Sequence, residues 1–83
     1  MAGNPQFGKR LRKLREAKLK TDPAFTLRKF AAAVGLSPTF LSKVERGEFD
    51  PPAAGKIIKM AELLEVDRDE LLGLANRFDP ELE

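Results

Sequence analysis

Residues 26–47 read TLRKFAAAVGLSPTFLSKVERG and predict two short helices joined by a tight turn. Thr26 can cap the first helix, because its hydroxyl accepts a hydrogen bond from a free N–H of the first turn. Gly35 can end this helix, since glycine adopts the left-handed conformation without steric cost. Ser37 can cap the second helix, and Pro38 fits its first position, where no N–H is needed. A second glycine closes the segment.

The apolar residues of this segment recur at helical spacing and mark the buried side of both helices. They are Phe30, Ala31, Val34, Phe40, Leu41 and Val44. The small side chains of residues 31–33 allow the two helices to cross closely, as a helix-turn-helix requires. The outer face of the second helix carries short or basic side chains and no acidic one, namely Pro38, Thr39, Ser42, Lys43 and Arg46. Such a face can enter a DNA major groove without repelling phosphate.

The segment resembles the helix-turn-helix of the lambda-repressor/Cro-like family, also called the XRE family of regulators. The matching residues are Ala31, Val34-Gly35-Leu36-Ser37 and Leu41-Ser42-Lys43-Val44-Glu45-Arg46-Gly47, and the resemblance extends over roughly Phe7 to Leu72. It implies an all-α fold, a compact five-helix domain of the lambda-repressor-like type that binds double-stranded DNA and regulates transcription. The residues alone leave open an unrelated bundle with two amphipathic helices.

The resemblance also implies roles for individual residues. Base contacts fall on Pro38, Thr39, Ser42 and Lys43, and phosphate contacts on Thr26, Arg28, Lys29, Ser37 and Arg46. Lysine can donate to guanine O6 or N7, while threonine and serine can bond to several bases. An ion pair between Arg15 and Glu45 is implied, at least partly buried, and removing one partner of such a pair costs about 3–5 kcal/mol.

The chain departs from the family pattern in two places. Leu27 stands where family members often carry a glutamine that bonds a phosphate, so Arg28 and Lys29 are expected to take over that role. The loop of residues 47–52 contains Glu48 and Asp50, where family members often have basic residues. Contacts to the centre of an operator are therefore in doubt.

Composition narrows the function classes. At 83 residues the chain is one small domain. It has no Cys and no His, which excludes disulfides, thiolate zinc sites and a Ser-His triad, and no constellation for an enzyme, cofactor or metal is evident. No apolar run approaches the roughly 18 residues of a membrane span. The N-terminus lacks a signal-like apolar segment, so a cytoplasmic protein is predicted.

The charges are distributed unevenly along the chain. Residues 1–46 carry eleven Lys and Arg against three acids, a net charge of +8, whereas residues 47–83 carry four against ten, a net charge of −6. This polarity suits a domain that sets one face against a polyanion. Charge runs are also common on ordinary solvated helix faces.

The expected organisation is a flexible tail over residues 1–6, the DNA-binding domain over 7–75, and a tail or the start of a further helix over 76–83. A first helix is expected over about 6–18 and a fourth over about 53–64. A fifth should follow the capping box that Asp67 forms with Glu70. Asp79-Pro80-Glu81-Leu82 has the pattern of another helix start. The loop of residues 20–25 is about four residues longer than is usual for the family and could form a second contact surface.

Two functions follow from these observations. The first is a homodimer that binds a palindromic operator and represses transcription. Five helices cannot bury all the apolar residues of the fifth, so some should lie at an interface, and the resemblance implies that this interface is the dimer contact. The alternative is a protein-interaction module such as an antitoxin or adaptor, in which the acidic half of the chain docks a protein partner.

Overall fold

A computed structural model describes residues 3–77, which form an all-α fold with no strand among them. The elements are α1 (Pro5–Leu19), a 3-10 helix (Pro23–Phe25), α2 (Leu27–Val34), α3 (Pro38–Glu45), α4 (Ala54–Leu64) and α5 (Arg68–Leu74). The predicted all-α fold with five helices is confirmed.

The predicted boundaries of α2 and α3 are confirmed by their capping bonds. The N–H of Lys29 donates to Thr26 Oγ1 at 3.3 Å, and the N–H of Phe40 donates to Ser37 Oγ at 3.1 Å. Gly35 ends α2 in the left-handed conformation, with φ of 82°. Each cap thus satisfies a backbone group that its helix end would leave unpaired.

Every helix turns one apolar stripe toward a shared core. The buried apolar side chains are Phe7, Leu11, Phe25, Phe30, Ala31, Val34, Leu41, Val44, Ile57, Met60, Ala61, Leu64, Leu71, Leu72 and Ala75. In α4 this stripe consists of Ile57, Met60, Ala61 and Leu64. Of the apolar residues of α5, Leu71 and Leu72 are buried within the chain, at 0% and 3% exposure. Leu74 is half-buried, and Phe78 lies outside the described residues.

The N-terminal residues differ from the predicted tail. Asn4 caps α1 by accepting from the N–H of Phe7 at 3.0 Å, and its Nδ2 donates to the carbonyl of Leu74 at 2.7 Å. The N–H of Gly3 donates to Asp50 Oδ1 at 2.8 Å. Residues 3–6 therefore belong to the folded domain. An Asn cap followed by proline is a helix start that the sequence did contain.

The remaining connections also differ in detail. The 3-10 helix shortens the loop before α2 and buries Phe25, whose ring stacks on that of Phe30 at 5.7 Å. Asp67 caps α5 as predicted, through the N–H of Asp69 at 2.9 Å. The Glu70 carboxylate, expected to complete the box, instead accepts from Arg10 Nε of α1 at 2.9 Å. The helix start predicted at residues 79–82 lies outside the described residues.

Candidate nucleic-acid interface

Helix α3 presents one polar face to solvent and is held by the core through the other. Leu41 and Val44 are fully buried. On the opposite side Pro38 and Thr39 are exposed, while Ser42 and Lys43 of the following turn are half-buried. The structure thus brings the four residues predicted to contact bases onto one face of a single helix.

The one acidic residue of α3 points away from that face. Glu45 is 7% exposed and lies against Arg15 of α1. Nε and Nη2 of Arg15 donate to the two carboxylate oxygens at 2.7 and 3.0 Å, a bidentate geometry that strengthens such a pair. Nη1 of Arg15 also donates to the carbonyl of Phe25 at 3.1 Å. The pair locks the end of α3 onto α1 and the 3-10 helix, and leaves the outer face without negative charge.

The candidate phosphate ligands lie around the starts of α2 and α3. Arg28 and Lys29 are exposed in the first turn of α2, and within residues 3–77 neither forms an ion pair. The hydroxyl oxygens of Thr26 and Ser37 accept the capping bonds, which leaves each hydroxyl hydrogen able to donate outward. A helix N-terminus also favours an anion through its free N–H groups.

Comparison with known proteins settles the family. Residues 6–74 match the model of a helix-turn-helix domain family. The chain belongs to the helix-turn-helix transcriptional regulators of the lambda-repressor/Cro type. The match covers most of the chain and confirms the family that the residues of α2 and α3 resemble. The protein is therefore a DNA-binding transcriptional regulator of a family that is generally non-enzymatic.

A solved structure supports this assignment. The restriction-modification controller protein C.AhdI from Aeromonas hydrophila is 33% identical in sequence and superimposes with a TM-score of 0.65. The alignment covers 81% of this chain and 92% of C.AhdI. A search among curated proteins finds no matching sequence.

Arg46, at the end of α3 in this regulator, is engaged by a neighbouring acid. Its Nε lies 3.2 Å from Glu48 Oε2, and both side chains are about half exposed. The same nitrogen is 3.4 Å from the carbonyl of Ser42. The predicted phosphate ligand therefore has a carboxylate competing for it. The pairing of Arg46 with Glu48 depends on the turn at Gly47, where φ is 77°. The spacing of the two residues in the sequence does not predict this pairing.

The segment between α3 and α4 places an aromatic ring beside the polar face. Phe49 is not among the predicted site residues, and at 41% exposure it is the large apolar side chain most open to solvent within residues 3–77. Its ring packs on Phe40 at 5.8 Å, and Lys43 Nζ lies 5.0 Å from its centroid. The ring therefore lies on the solvent side of α3 and contacts a predicted base-reading side chain.

Much of the positive charge on α1 is paired within the fold. Arg10, Arg12 and Lys18 form ion pairs with Glu70, Glu16 and Glu65 respectively. The carboxylate of Glu65 accepts a hydrogen bond from Lys18, and this bond and the charge lower the Glu65 pKa from 4.5. The charge asymmetry of the sequence is thus partly cancelled in the structure. Arg28 and Lys29 in the first turn of α2 are exposed and remain available to an anion.

The described part of the chain holds neither a metal-ligand cluster nor a candidate membrane-spanning helix. Residues 3–77 contain no group of three metal-ligating side chains. None of their helices is both long and apolar enough to cross a bilayer.

Proposed function

We propose that this regulator is a homodimeric repressor that binds a palindromic operator. Two copies of α3 would enter successive major grooves about 34 Å apart, the spacing of one turn of B-DNA. The observation that carries the proposal is the outer face of α3, which is polar and free of acid because Glu45 turns inward to Arg15. Helix α3 itself therefore presents no carboxylate to a duplex, and the nearest acid is Glu48, which pairs with Arg46 just beyond the helix.

The family resemblance assigns the residue roles, and side-chain chemistry indicates what each residue would contact. Lys43 donates to O6 or N7 of guanine, and the hydroxyls of Thr39 and Ser42 bond to base edges. Pro38 makes apolar contact. Phosphate contacts from Thr26, Arg28, Lys29, Ser37 and Arg46 fix the register of the protein and supply much of the affinity.

A dimer is proposed because one copy of α3 reads too little DNA. The helix has eight residues and four candidate base-reading side chains. A single small module buries only about 600–1,000 Å² of protein surface on DNA, whereas specific complexes reach 1,000–2,500 Å². Two copies related by a two-fold axis double the contacts and require a palindromic site.

Repression is the simplest output of a domain of this size. A dimer seated on a promoter excludes polymerase by occupying the same DNA, which needs no additional activity. The likeness to C.AhdI, described as a controller protein, supports a regulatory role for the bound protein.

The test combines selection of duplexes from a random pool with a charge reversal. The selected motif should contain two inverted half-sites with centres about 10 base pairs apart. The variant Lys43→Glu/Arg46→Glu should lose specific binding. The matched control is Lys56→Glu/Lys59→Glu, which makes the same charge change at exposed positions of α4.

The control should retain the selected motif, although its overall affinity should fall through the changed net charge. If both variants lose binding equally, long-range charge rather than the α3 face explains the affinity. If the wild type shows no salt-dependent binding to any duplex, the protein-interaction alternative is favoured instead.

A further inference from the structure

We infer that Phe49 is a positioning residue that holds Lys43 ready for guanine and thereby sets base specificity at that position. This inference rests on the proposed function, since it assigns a role within the same DNA-reading face. It is supported by the position of the Lys43 ammonium, which lies 5.0 Å from the centroid of the Phe49 ring. A cation at this distance from a ring face is attracted by the ring quadrupole.

The ring is held in place by the backbone of its own loop. Gly47 adopts a left-handed φ of 77°, and the N–H of Glu48 then donates to the Lys43 carbonyl at 2.9 Å. The N–H of Phe49 donates to the same carbonyl at 3.3 Å. Three consecutive residues are thus folded back onto the last turn of α3, so the loop conformation delivers the ring to Lys43.

A second contact fixes the orientation of the ring. Phe49 packs on Phe40 with centroids 5.8 Å apart and an interplanar angle of 51°, and Phe40 in turn packs on the core. One side of Phe49 is therefore anchored, while 41% of the residue remains in solvent. Leaving this much of an aromatic ring in water is unfavourable in free energy, and packing on the core alone does not explain why the ring is there.

The consequence for Lys43 is a reduced choice of conformations. A lysine on a helix surface is a flexible, strongly hydrated cation that loses rotamer freedom when it binds. Here the Lys43 side chain is half-buried and its ammonium is already held over the Phe49 ring. Part of the side-chain entropy that Lys43 would lose on binding is therefore already lost in the free protein. An ammonium in a defined position favours guanine over other bases.

The experiment uses the full chain and the duplex of highest affinity recovered from a random pool, together with derivatives in which each G·C pair is replaced. Phe49→Leu keeps an apolar contact on Phe40 but removes the π face. It should lower affinity for the selected duplex about two- to fivefold, the weight of an exposed cation–π contact. It should also reduce discrimination at one G·C pair, while Phe49→Tyr, which retains the ring, preserves both.

A double-mutant cycle separates positioning from a direct contact. In the Lys43→Met background, Phe49→Leu should have no further effect on affinity. An equal loss in both backgrounds would overturn the inference in favour of a direct contact between Phe49 and DNA. Unchanged or increased affinity of Phe49→Leu would also overturn it, because the ring would then be irrelevant or would withhold Lys43.

A measurement without DNA checks the contact itself. The side-chain methylene protons of Lys43 should be shifted upfield by the ring in wild type and Phe49→Tyr, and not in Phe49→Leu. Absence of that shift in the wild type overturns the inference while the proposed function stands. Absence of duplex binding by the wild type overturns both.

Discussion

At Gly8 the backbones of α1 and α3 approach so closely that an added methyl group would test the contact. It lies in α1 and is buried against the last turn of α3. A Cβ added there would lie 2.3 Å from the carbonyl oxygen of Val44 and 2.6 Å from that of Glu45. Both atoms belong to backbone, so relief of the overlap requires α1 and α3 to separate by about 1 Å rather than a side chain to rotate.

Two opposing effects decide the stability of Gly8→Ala. Alanine is favoured over glycine inside a helix by about 0.5–1 kcal/mol. Overpacking of a close contact costs about 1–3 kcal/mol, and here the neighbouring atoms cannot move independently. We expect a net loss of about 1–2 kcal/mol, which lowers the melting temperature by roughly 5–15 °C for a domain of this size.

The matched control is Gly55→Ala in α4, where an added Cβ would meet no atom within 4 Å. This variant should gain up to about 0.5–1 kcal/mol from helix propensity alone. Thermal unfolding followed by circular dichroism measures both. A Gly8→Ala variant that melts at or above the wild-type temperature would refute the close approach of α1 to α3.

Three further predictions concern acidic side chains. Glu45→Ala should destabilise the fold by about 3–5 kcal/mol, because it leaves a buried guanidinium unpaired, and urea unfolding will detect this. Glu48→Gln should raise affinity for non-specific duplex, because Arg46 is released to a phosphate. The slope of log affinity against log salt concentration should steepen by about one unit. An unchanged slope in a salt titration would count against competition between Glu48 and the phosphate. Glu65 has a pKa lowered by Lys18, so its contribution to stability is present above pH 4.5 and is lost as pH falls through the lowered pKa. Glu65→Gln should accordingly flatten the acid limb of a stability-versus-pH curve, and an unaltered acid limb would show that the pair contributes nothing.

The structure corrects the sequence interpretation mainly where contacts join distant segments. Asn4 followed by proline was a local helix signal, yet its bond to Leu74 spans 70 positions. Glu70 has the spacing of a capping box, but the carboxylate pairs with Arg10 across the fold. In both cases a residue with an adequate local role takes a tertiary partner that no local pattern specifies.

The sequence by itself determined the elements whose causes are local. Caps, left-handed glycines and apolar spacing act over a few residues, so α2, α3 and the polar face of α3 could be recognised directly. The Arg15–Glu45 pair was available only through the family resemblance, since its partners are 30 residues apart. Tertiary structure alone decided the approach of Gly8 to α3, the pairing of Arg46 with Glu48 and the placement of Phe49 against Lys43. These contacts depend on the path of the backbone and on which surfaces meet. The spacing of residues along the sequence predicts neither.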